Sequence, residues 1–250
     1  MLNRASHPSL VLCVLAGFLA GLSGCGDGTP KPPAKRAKPV KVIAFDENEV
    51  VLQGIKDGTV VGTIVQNPYM YGYKSVEVLN ELHKGNKSVI PENKFIDIPA
   101  RVILADASKG EFAGAKVVAV DPFWADLKKK LSGKSDAPAP PPPASGDKPS
   151  YAFVTNGVAG FWTIAKAGAD KAGADLGVDV ITIMPSGITD QTRRMEDLLT
   201  RGANGIAISP IKPEAQGEIL NTAAGKTNLI THDSDAPDSK RLLYIGMDNY

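Results

Sequence analysis

The sequence predicts an α/β protein built on a parallel, doubly wound sheet, and three observations lead to this fold class. Short runs of β-branched and apolar residues alternate with segments whose apolar residues recur every three or four positions. The connections between these runs are long enough to hold a helix, as right-handed crossovers between parallel strands require. Hydrophobic residues make up 43% of the 250 residues, which is enough for a buried core.

The alternation is clearest in the second part of the chain. Strands are predicted at residues 151–154, 178–184, 205–209, 228–233 and 242–246. Helices are predicted at residues 161–176, from Thr189 or Asp190 to Gly202, and from Pro213 to about Gly225. This alternation predicts parallel strands joined by right-handed crossovers.

The first part of the chain has a shorter version of the same pattern. Strands are predicted at residues 41–46, 60–66 and 96–104, and helices at 50–58, 73–84 and 123–131. Pro99 lacks an amide donor, so the strand at 96–104 is predicted to lie at a sheet edge.

The N-terminus is predicted to be a targeting segment. Arg4 precedes an apolar run at residues 10–22 that is too short to favour a membrane span, and "LSGC" ends at Cys25. This arrangement resembles a bacterial lipoprotein signal at residues 1–25, with lipidation of Cys25; a simple secretory signal peptide is the alternative. Since Cys13 would be removed, the exported chain would lack both a disulfide and a site built on paired cysteines.

Two linkers are predicted from composition. Residues 26–39 are rich in Pro and Lys, which suits a tether. Residues 132–150 contain four consecutive prolines, which favour extended polyproline II structure. The predicted organisation is therefore a signal peptide (1–25), a linker (26–39), a first block (40–131), a second linker (132–150) and a second block (151–250).

Charge and motifs exclude several function classes. The formal net charge of +1 gives no basic surface for nucleic acid. The chain has neither the glycine spacing of a dinucleotide site nor a P-loop or a G-x-S-x-G elbow, so no cofactor or metal is predicted. Asp233 and Asp235 could form an acid–base pair in a small α/β enzyme, and this remains a minor alternative.

Polar and aromatic residues follow the predicted strands, where ligands bind in open parallel sheets. Carboxylates, amides and hydroxyls at such positions can bind vicinal hydroxyl groups, and aromatic rings can cover the apolar faces of a sugar. The pattern favours a neutral, hydroxyl-rich ligand over a phosphate. The candidate site residues are Asn156, Phe161, Trp162, Ser209, Asp233, Ser234, Phe45, Asp46 and Gln66.

Several separate motifs resemble a known family. These are "YAFVTNGVAGFWTIAKAGADKAGADLGVDV", "DQTRRMEDLLTRGANGIAISPIKPEA", "ITHDSDAPDSKRLLYIGMDNY" and "VIAFDENEVVLQGIKDGTVVGTIVQNPYMYGYKSVEVL". Together they are similar to periplasmic sugar-binding proteins of the ribose/galactose type, which are the substrate-binding components of ABC importers.

The resemblance implies two α/β lobes that close on a monosaccharide about a hinge of crossing strands, without enzymatic activity. It places Phe161 and Trp162 at stacking positions and Gln66 on the hinge side. Asp233 from the first lobe and Asp46 from the second would bind sugar hydroxyls. The implied partner is a membrane permease, and the implied location is the periplasm, with a lipid anchor or as a secreted protein.

Two departures from the family pattern limit what the resemblance implies. Ser234 stands where ribose-type members have an Arg, so the identity of the sugar stays open. The two blocks also occur in the reverse order, and a stretch expected between "GMDNY" and "KVIAFD" is missing. A gene rearrangement, a truncated tandem duplication or deliberate engineering would each produce this order.

The missing stretch leads to an expectation about the second lobe. It should keep three strands and one helix and expose an apolar edge, with association or poor order as the consequence. The first lobe should be nearly complete once the helix at 73–84 packs on it. The alternative function is a rearranged remnant that acts as a scaffold or interaction module with weak or no sugar binding.

Overall fold

A computed structural model describes residues 40–108, 110–112, 115–132 and 148–248. The predicted signal peptide with Cys25, the linker at 26–39 and residues 133–147 of the second linker lie outside the described residues. In the described ranges, no helix is both long and apolar enough to cross a membrane.

The structure has eleven strands and six α-helices in the described part of the chain. The strands are β1 (Ile43–Phe45), β2 (Gly62–Val65), β3 (Phe95–Asp97), β4 (Arg101–Leu104), β5 (Glu111–Phe112), β6 (Ala115–Ala119), β7 (Ser150–Val154), β8 (Asp179–Ile183), β9 (Gly205–Ile208), β10 (Asn228–His232) and β11 (Tyr244–Gly246). The helices are α1 (Glu49–Lys56), α2 (Pro68–His83), α3 (Val120–Ser132), α4 (Gly160–Leu176), α5 (Ile188–Thr200) and α6 (Gly217–Lys226).

A six-stranded sheet, here called the large sheet, has the strand order β3-β11-β10-β9-β7-β8. All its neighbouring strands are parallel, which confirms the predicted doubly wound fold class. Five strands come from the second block, at the positions predicted for them. The sixth, β3, comes from the first block and pairs with β11 at the edge.

Alternating side chains divide the large sheet into two cores, as expected for a sheet buried on both faces. On one face Tyr151 and Phe153 pack with residues of α2 and α4. On the other face Ala152 and Val154 pack with Met195, Leu198 and Leu220 of α5 and α6. The helix predicted at 73–84 therefore packs on the first lobe as expected, although α2 begins earlier, with Pro68 at its first position.

Helices α2 and α4 are in backbone contact at two glycines. A Cβ atom on Gly72 would lie 1.9 Å from the carbonyl oxygen of Ala165, and a Cβ atom on Gly168 would lie 1.9 Å from the carbonyl oxygen of Tyr69. A side chain at either position would force the helices apart. Because α2 belongs to the first block and α4 to the second, this contact joins the two blocks.

The small sheet has the strand order β1-β2-β4-β6-β5 and is mixed, with β4 antiparallel to β2. The prediction of one edge strand at 96–104 is wrong. The chain makes β3 in the large sheet, crosses at Pro99 where the amide donor is absent, and makes β4 in the middle of the small sheet.

The expected content of the second lobe is also corrected. The small sheet has five strands rather than the three expected. The two additional strands, β5 and β6, were not predicted from the sequence. Two helices, α1 and α3, cover one face of it and pack on Val65 and Ile103 through Leu52, Ile55 and Phe123.

The other face of the small sheet is apolar, and we call it the uncovered face. The strand register places Ile43, Phe45, Ile64, Val102 and Leu104 on this face, opposite to the side chains that contact α1 and α3. Ile43 is 65% exposed and Phe45 is 72% exposed. Strand β1 is also an edge strand, so the expected exposed apolar edge is confirmed.

The close contact between α2 and α4 predicts that Gly72→Ala lowers the free energy of unfolding by about 2 kcal/mol or more, since backbone atoms must move apart. Chemical denaturation measures this change. Gly225→Ala is the matched control, because Gly225 lies in α6 with no atom near its Cβ position. The control should gain up to about 1 kcal/mol from helix propensity. Equal stability of the two variants would contradict the packing.

The uncovered face predicts concentration-dependent self-association. Ile43→Thr should reduce the apparent molar mass at high protein concentration, measured by light scattering after size exclusion. Val50→Thr is the control, because Val50 is 82% exposed but lies on α1, which packs on the opposite face. A similar reduction in both variants would argue against a specific role of the face.

Candidate functional site

Three polar side chains meet at the carboxyl edge of the large sheet. The Asn156 amide nitrogen donates to Asp233 Oδ2 at 3.4 Å, and the Ser209 hydroxyl donates to the same oxygen at 3.1 Å. The residues follow β7, β9 and β10, which lie side by side, so three separate segments converge on one carboxylate. The predicted grouping of Asn156, Ser209 and Asp233 is therefore present in the structure.

Trp162 lies beneath this group in the core. The side chain is 4% exposed, and its indole N–H donates to Asn156 Oδ1 at 3.0 Å. Phe161 is half-buried and packs edge-on against Trp162 with ring centroids 4.8 Å apart. Phe161 is thus the aromatic ring nearer to solvent, whereas Trp162 orients the Asn156 amide.

The contacts of His232 are those of a structural residue in the core. Its ring stacks on Phe153 at 4.2 Å, and Nε2 lies 3.1 Å from the carbonyl oxygen of Val154. Burial lowers the pKa of His232 to about 3. The imidazole is therefore neutral, and its Nε2–H donates to the Val154 carbonyl.

Asp233 combines partial burial with a neighbouring charge. Burial raises the pKa of the Asp233 carboxyl to about 6, and the hydrogen bond from Ser209 acts in the opposite direction. The negative charge of Asp46 adds to the rise. Asp46 belongs to the other sheet, and we call the space between these two carboxylates the candidate cleft.

The small sheet contributes an open side to this cleft. Phe45 ends β1, and Asp46 follows it with an exposed side chain. Phe45 makes no ring contact with another aromatic residue in the described part of the chain. The structure thus brings Asp46 toward Asp233 but leaves Phe45 free on its own lobe.

Gln66 lies where the chain leaves the small sheet, next to a buried polar cluster. Arg101 Nη2 donates to the Gln66 carbonyl oxygen at 2.9 Å, and its guanidinium lies 5.1 Å from the Phe123 ring. Buried atoms of Gln66, Arg101 and Glu47 lack a hydrogen-bond partner within the described ranges: Oε1, Nε and Oε2 respectively. Burial raises the pKa of Glu47 to about 7, and the Arg101 charge opposes the rise.

Ser234 and Asp235 follow Asp233 but differ in their surroundings. Ser234 is half-buried, and its amide donates to the His232 carbonyl at 2.6 Å. Asp235 accepts from Arg241 Nη2 at 2.6 Å and from the Thr231 hydroxyl at 2.6 Å. Asp235 thus anchors its own loop by an ion pair, and this geometry does not favour the acid–base alternative.

Sequence reasoning missed Tyr71, which lies in the core and packs against the candidate site residue Phe161. Tyr71 is 1% exposed and packs against Phe161, with ring centroids 6.2 Å apart. Burial raises its pKa, and the charges of Asp233 and Asp46 contribute. The structure begins α2 at Pro68, five residues before the predicted start at residue 73. Proline is common at the first position of a helix, so Pro68 was the signal that could have placed Tyr71 on α2.

This arrangement of polar groups at the carboxyl edge of a parallel sheet agrees with the family comparison. Residues 151–250 match the family model of the periplasmic binding protein domain. The predicted resemblance is thus supported over residues 151–250, which include Asn156, Phe161, Ser209 and Asp233.

Solved structures give two further similarities. A carbohydrate transporter solute binding protein from Agrobacterium radiobacter, in complex with D-arabinose, is 30% identical, with 42% of this chain and 37% of that chain covered and a TM-score of 0.39. An ABC transporter solute binding protein from Burkholderia graminis C4D1M, also in complex with D-arabinose, is 29% identical, with 40% and 36% covered and a TM-score of 0.38. This chain thus spans less than two fifths of each of them.

The raised pKa of Asp233 predicts a pH-dependent difference in stability between the wild-type protein and Asp233→Asn. The folded state holds the Asp233 proton more tightly than the unfolded state. Its contribution to the free energy of unfolding is therefore fully present below the ordinary pKa of 3.8 and lost as pH rises through about 6.

We therefore expect the unfolding free energy of the wild-type protein, minus that of Asp233→Asn, to fall between pH 4 and about 7 and then to level off. Urea denaturation at each pH measures both values. The difference isolates Asp233 from Glu47, which titrates in both proteins. A difference that rises with pH would contradict the assigned burial.

Proposed function

We propose that this protein binds a monosaccharide, as the substrate-binding component of an ABC sugar importer. The observation that carries the proposal is the convergence of Asn156, Ser209 and Asp233 on one sheet edge, facing the charge of Asp46 on the other sheet. The match of residues 151–250 to the periplasmic binding protein domain supports it.

The chemistry of the cleft suits a neutral sugar. Two carboxylates are acceptors for paired hydroxyl groups. The Asn156 amide has a second N–H to donate, and the Ser209 oxygen can accept while its O–H donates to Asp233. Phe161 offers an aromatic face for the C–H surface of a pyranose or furanose ring. Trp162 contributes through Asn156, whose amide it orients.

The same polar groups would also control closure of the two lobes. The chain crosses between the sheets at residues 66–67 and 98–100, within the described ranges. Without ligand, the like charges of Asp46 and Asp233 oppose closure. The hydrogen bonds that a sugar donates to each carboxylate offset this repulsion and favour the closed state.

The cellular context forms part of the proposal. A lipid anchor at Cys25 and the linker at 26–39 would hold the domain at a membrane surface in the periplasm, beside its permease. The blocks at 40–131 and 151–250 would act as the partial second lobe and the sugar-binding first lobe. No catalytic role is assigned to any residue.

A second candidate function is a scaffold or interaction module with weak or no sugar binding. The uncovered face favours it, because a sheet face with exposed Ile43 and Phe45 is suited to bind another protein surface. The two functions differ in one measurable property, which is affinity for sugars.

Isothermal titration calorimetry with a panel of aldoses, beginning with D-arabinose, D-ribose and D-galactose, tests the proposed function. We expect binding of at least one sugar at pH 7 and a loss of affinity of about tenfold or more in Asp233→Asn, because a charged acceptor is removed. Wild-type affinity should also fall about tenfold from pH 7 to pH 5, as a carboxyl with a pKa of about 6 becomes protonated.

Asp170→Asn is the matched control, since Asp170 forms its ion pair with Lys166 on α4. It should retain wild-type affinity. A folded wild-type sample that gives no heat with any sugar would favour the scaffold function.

A further inference from the structure

The two cleft aspartates share an unusual backbone conformation. Asp46 has φ of 61° and Asp233 has φ of 58°, in the left-handed region that residues with a side chain rarely occupy. Each directly follows the last residue of a parallel strand, β1 or β10. Asp adopts this conformation more readily than most residues with a side chain, and the contacts around each aspartate show what stabilises it here.

The same hydrogen bonds surround both residues. The Asp46 amide donates to the Ile64 carbonyl at 2.9 Å, and the Asp233 amide donates to the Ile245 carbonyl at 3.0 Å. The carbonyl oxygen of each aspartate accepts a side-chain hydroxyl. Thr63 donates to Asp46 at 2.9 Å, and Tyr244 donates to Asp233 at 2.8 Å.

The strand register makes the two arrangements equivalent. Thr63 pairs with Ala44, two residues before Asp46. Tyr244 pairs with Thr231, two residues before Asp233. A Thr in one sheet and a Tyr in the other therefore occupy the same position relative to their aspartate, although the side chains differ in length.

Packing holds both hydroxyl residues in place. Thr63 is fully buried, and its strand position puts it on the face covered by α1 and α3. The Tyr244 ring stacks on Phe95 with centroids 5.5 Å apart. Gly246 leaves room for it, because a Cβ atom there would lie 2.0 Å from the Tyr244 hydroxyl oxygen.

We propose that Thr63 and Tyr244 are paired positioning residues, one in each lobe, that hold Asp46 and Asp233 in the left-handed conformation and so direct both carboxylates into the cleft. The effect on sugar affinity rests on the proposed function, whereas the effect on the backbone does not. Neither hydroxyl contacts the ligand.

Backbone conformation in the unliganded protein is tested by the three-bond HN–Hα coupling, which depends on φ. Tyr244→Phe should change the coupling of Asp233 and leave that of Asp46 unchanged, and Thr63→Val should do the reverse. Gly246→Ala should change the coupling of Asp233 as Tyr244→Phe does, because the added methyl group would displace the Tyr244 hydroxyl from the Asp233 carbonyl. Thr63→Ser keeps the hydroxyl donor, so it should retain the wild-type coupling of Asp46.

Sugar affinity is measured on the same variants by calorimetry. Tyr244→Phe and Thr63→Val should each weaken binding about three- to tenfold, the range expected for one neutral hydrogen bond. The controls are Tyr73→Phe, which loses a surface bond to Asp175, and Thr227→Val, which loses a 2.7 Å bond to the Ala203 carbonyl. Both controls should bind as the wild-type protein does.

The outcomes separate the two proposals. Unchanged couplings in Tyr244→Phe and Thr63→Val would overturn the positioning role. Changed couplings with wild-type affinity would also overturn it, since the conformation would then not matter for the ligand. Changed couplings in a protein that binds no sugar would support the backbone role and refute the proposed function.

Discussion

The direct backbone contact between α2 and α4 is the constraint on which the rest of the structure depends. It is possible only because Gly72 and Gly168 lack side chains at the point where the helices cross. The contact fixes α2 on the large sheet, and the chain after α2 then adds β3 to the edge of that sheet. Two blocks separated by a proline-rich segment thereby form one core, and the carboxyl edges of both sheets lie near each other.

The cleft concentrates features that reduce stability elsewhere in proteins. A carboxylate is partly buried beside a second one, two aspartates have left-handed backbones, and three buried polar atoms near Glu47 lack partners among the described residues. Such features persist where surrounding structure over-determines them, and they cluster at ligand sites. Asp46 and Asp233 therefore both have such features and both belong to the proposed sugar site.

The small sheet is covered by helices on one of its two faces. Helices α1 and α3 supply a core on one face, and Leu52 and Ile103 are fully buried there. The opposite face has apolar residues from β1, β2 and β4 that α1 and α3 do not reach. A lobe of this kind keeps its strand register and its cleft edge while exposing a surface suited to association.

The sequence by itself determined the alternation of strands and helices after residue 150, the residues at the strand ends and the helix that packs on the large sheet. These features depend on hydrophobic periodicity and on residues that end helices and strands, and both are local properties of the sequence. Only the tertiary structure decided that residues 96–104 divide between two sheets, that β4 is central, and that Trp162 and Tyr71 both lie in the core. These depend on strand pairing between distant segments and on helix packing, which no short stretch of sequence encodes. The equivalent positions of Thr63 and Tyr244 likewise become visible only in the register of two separate sheets.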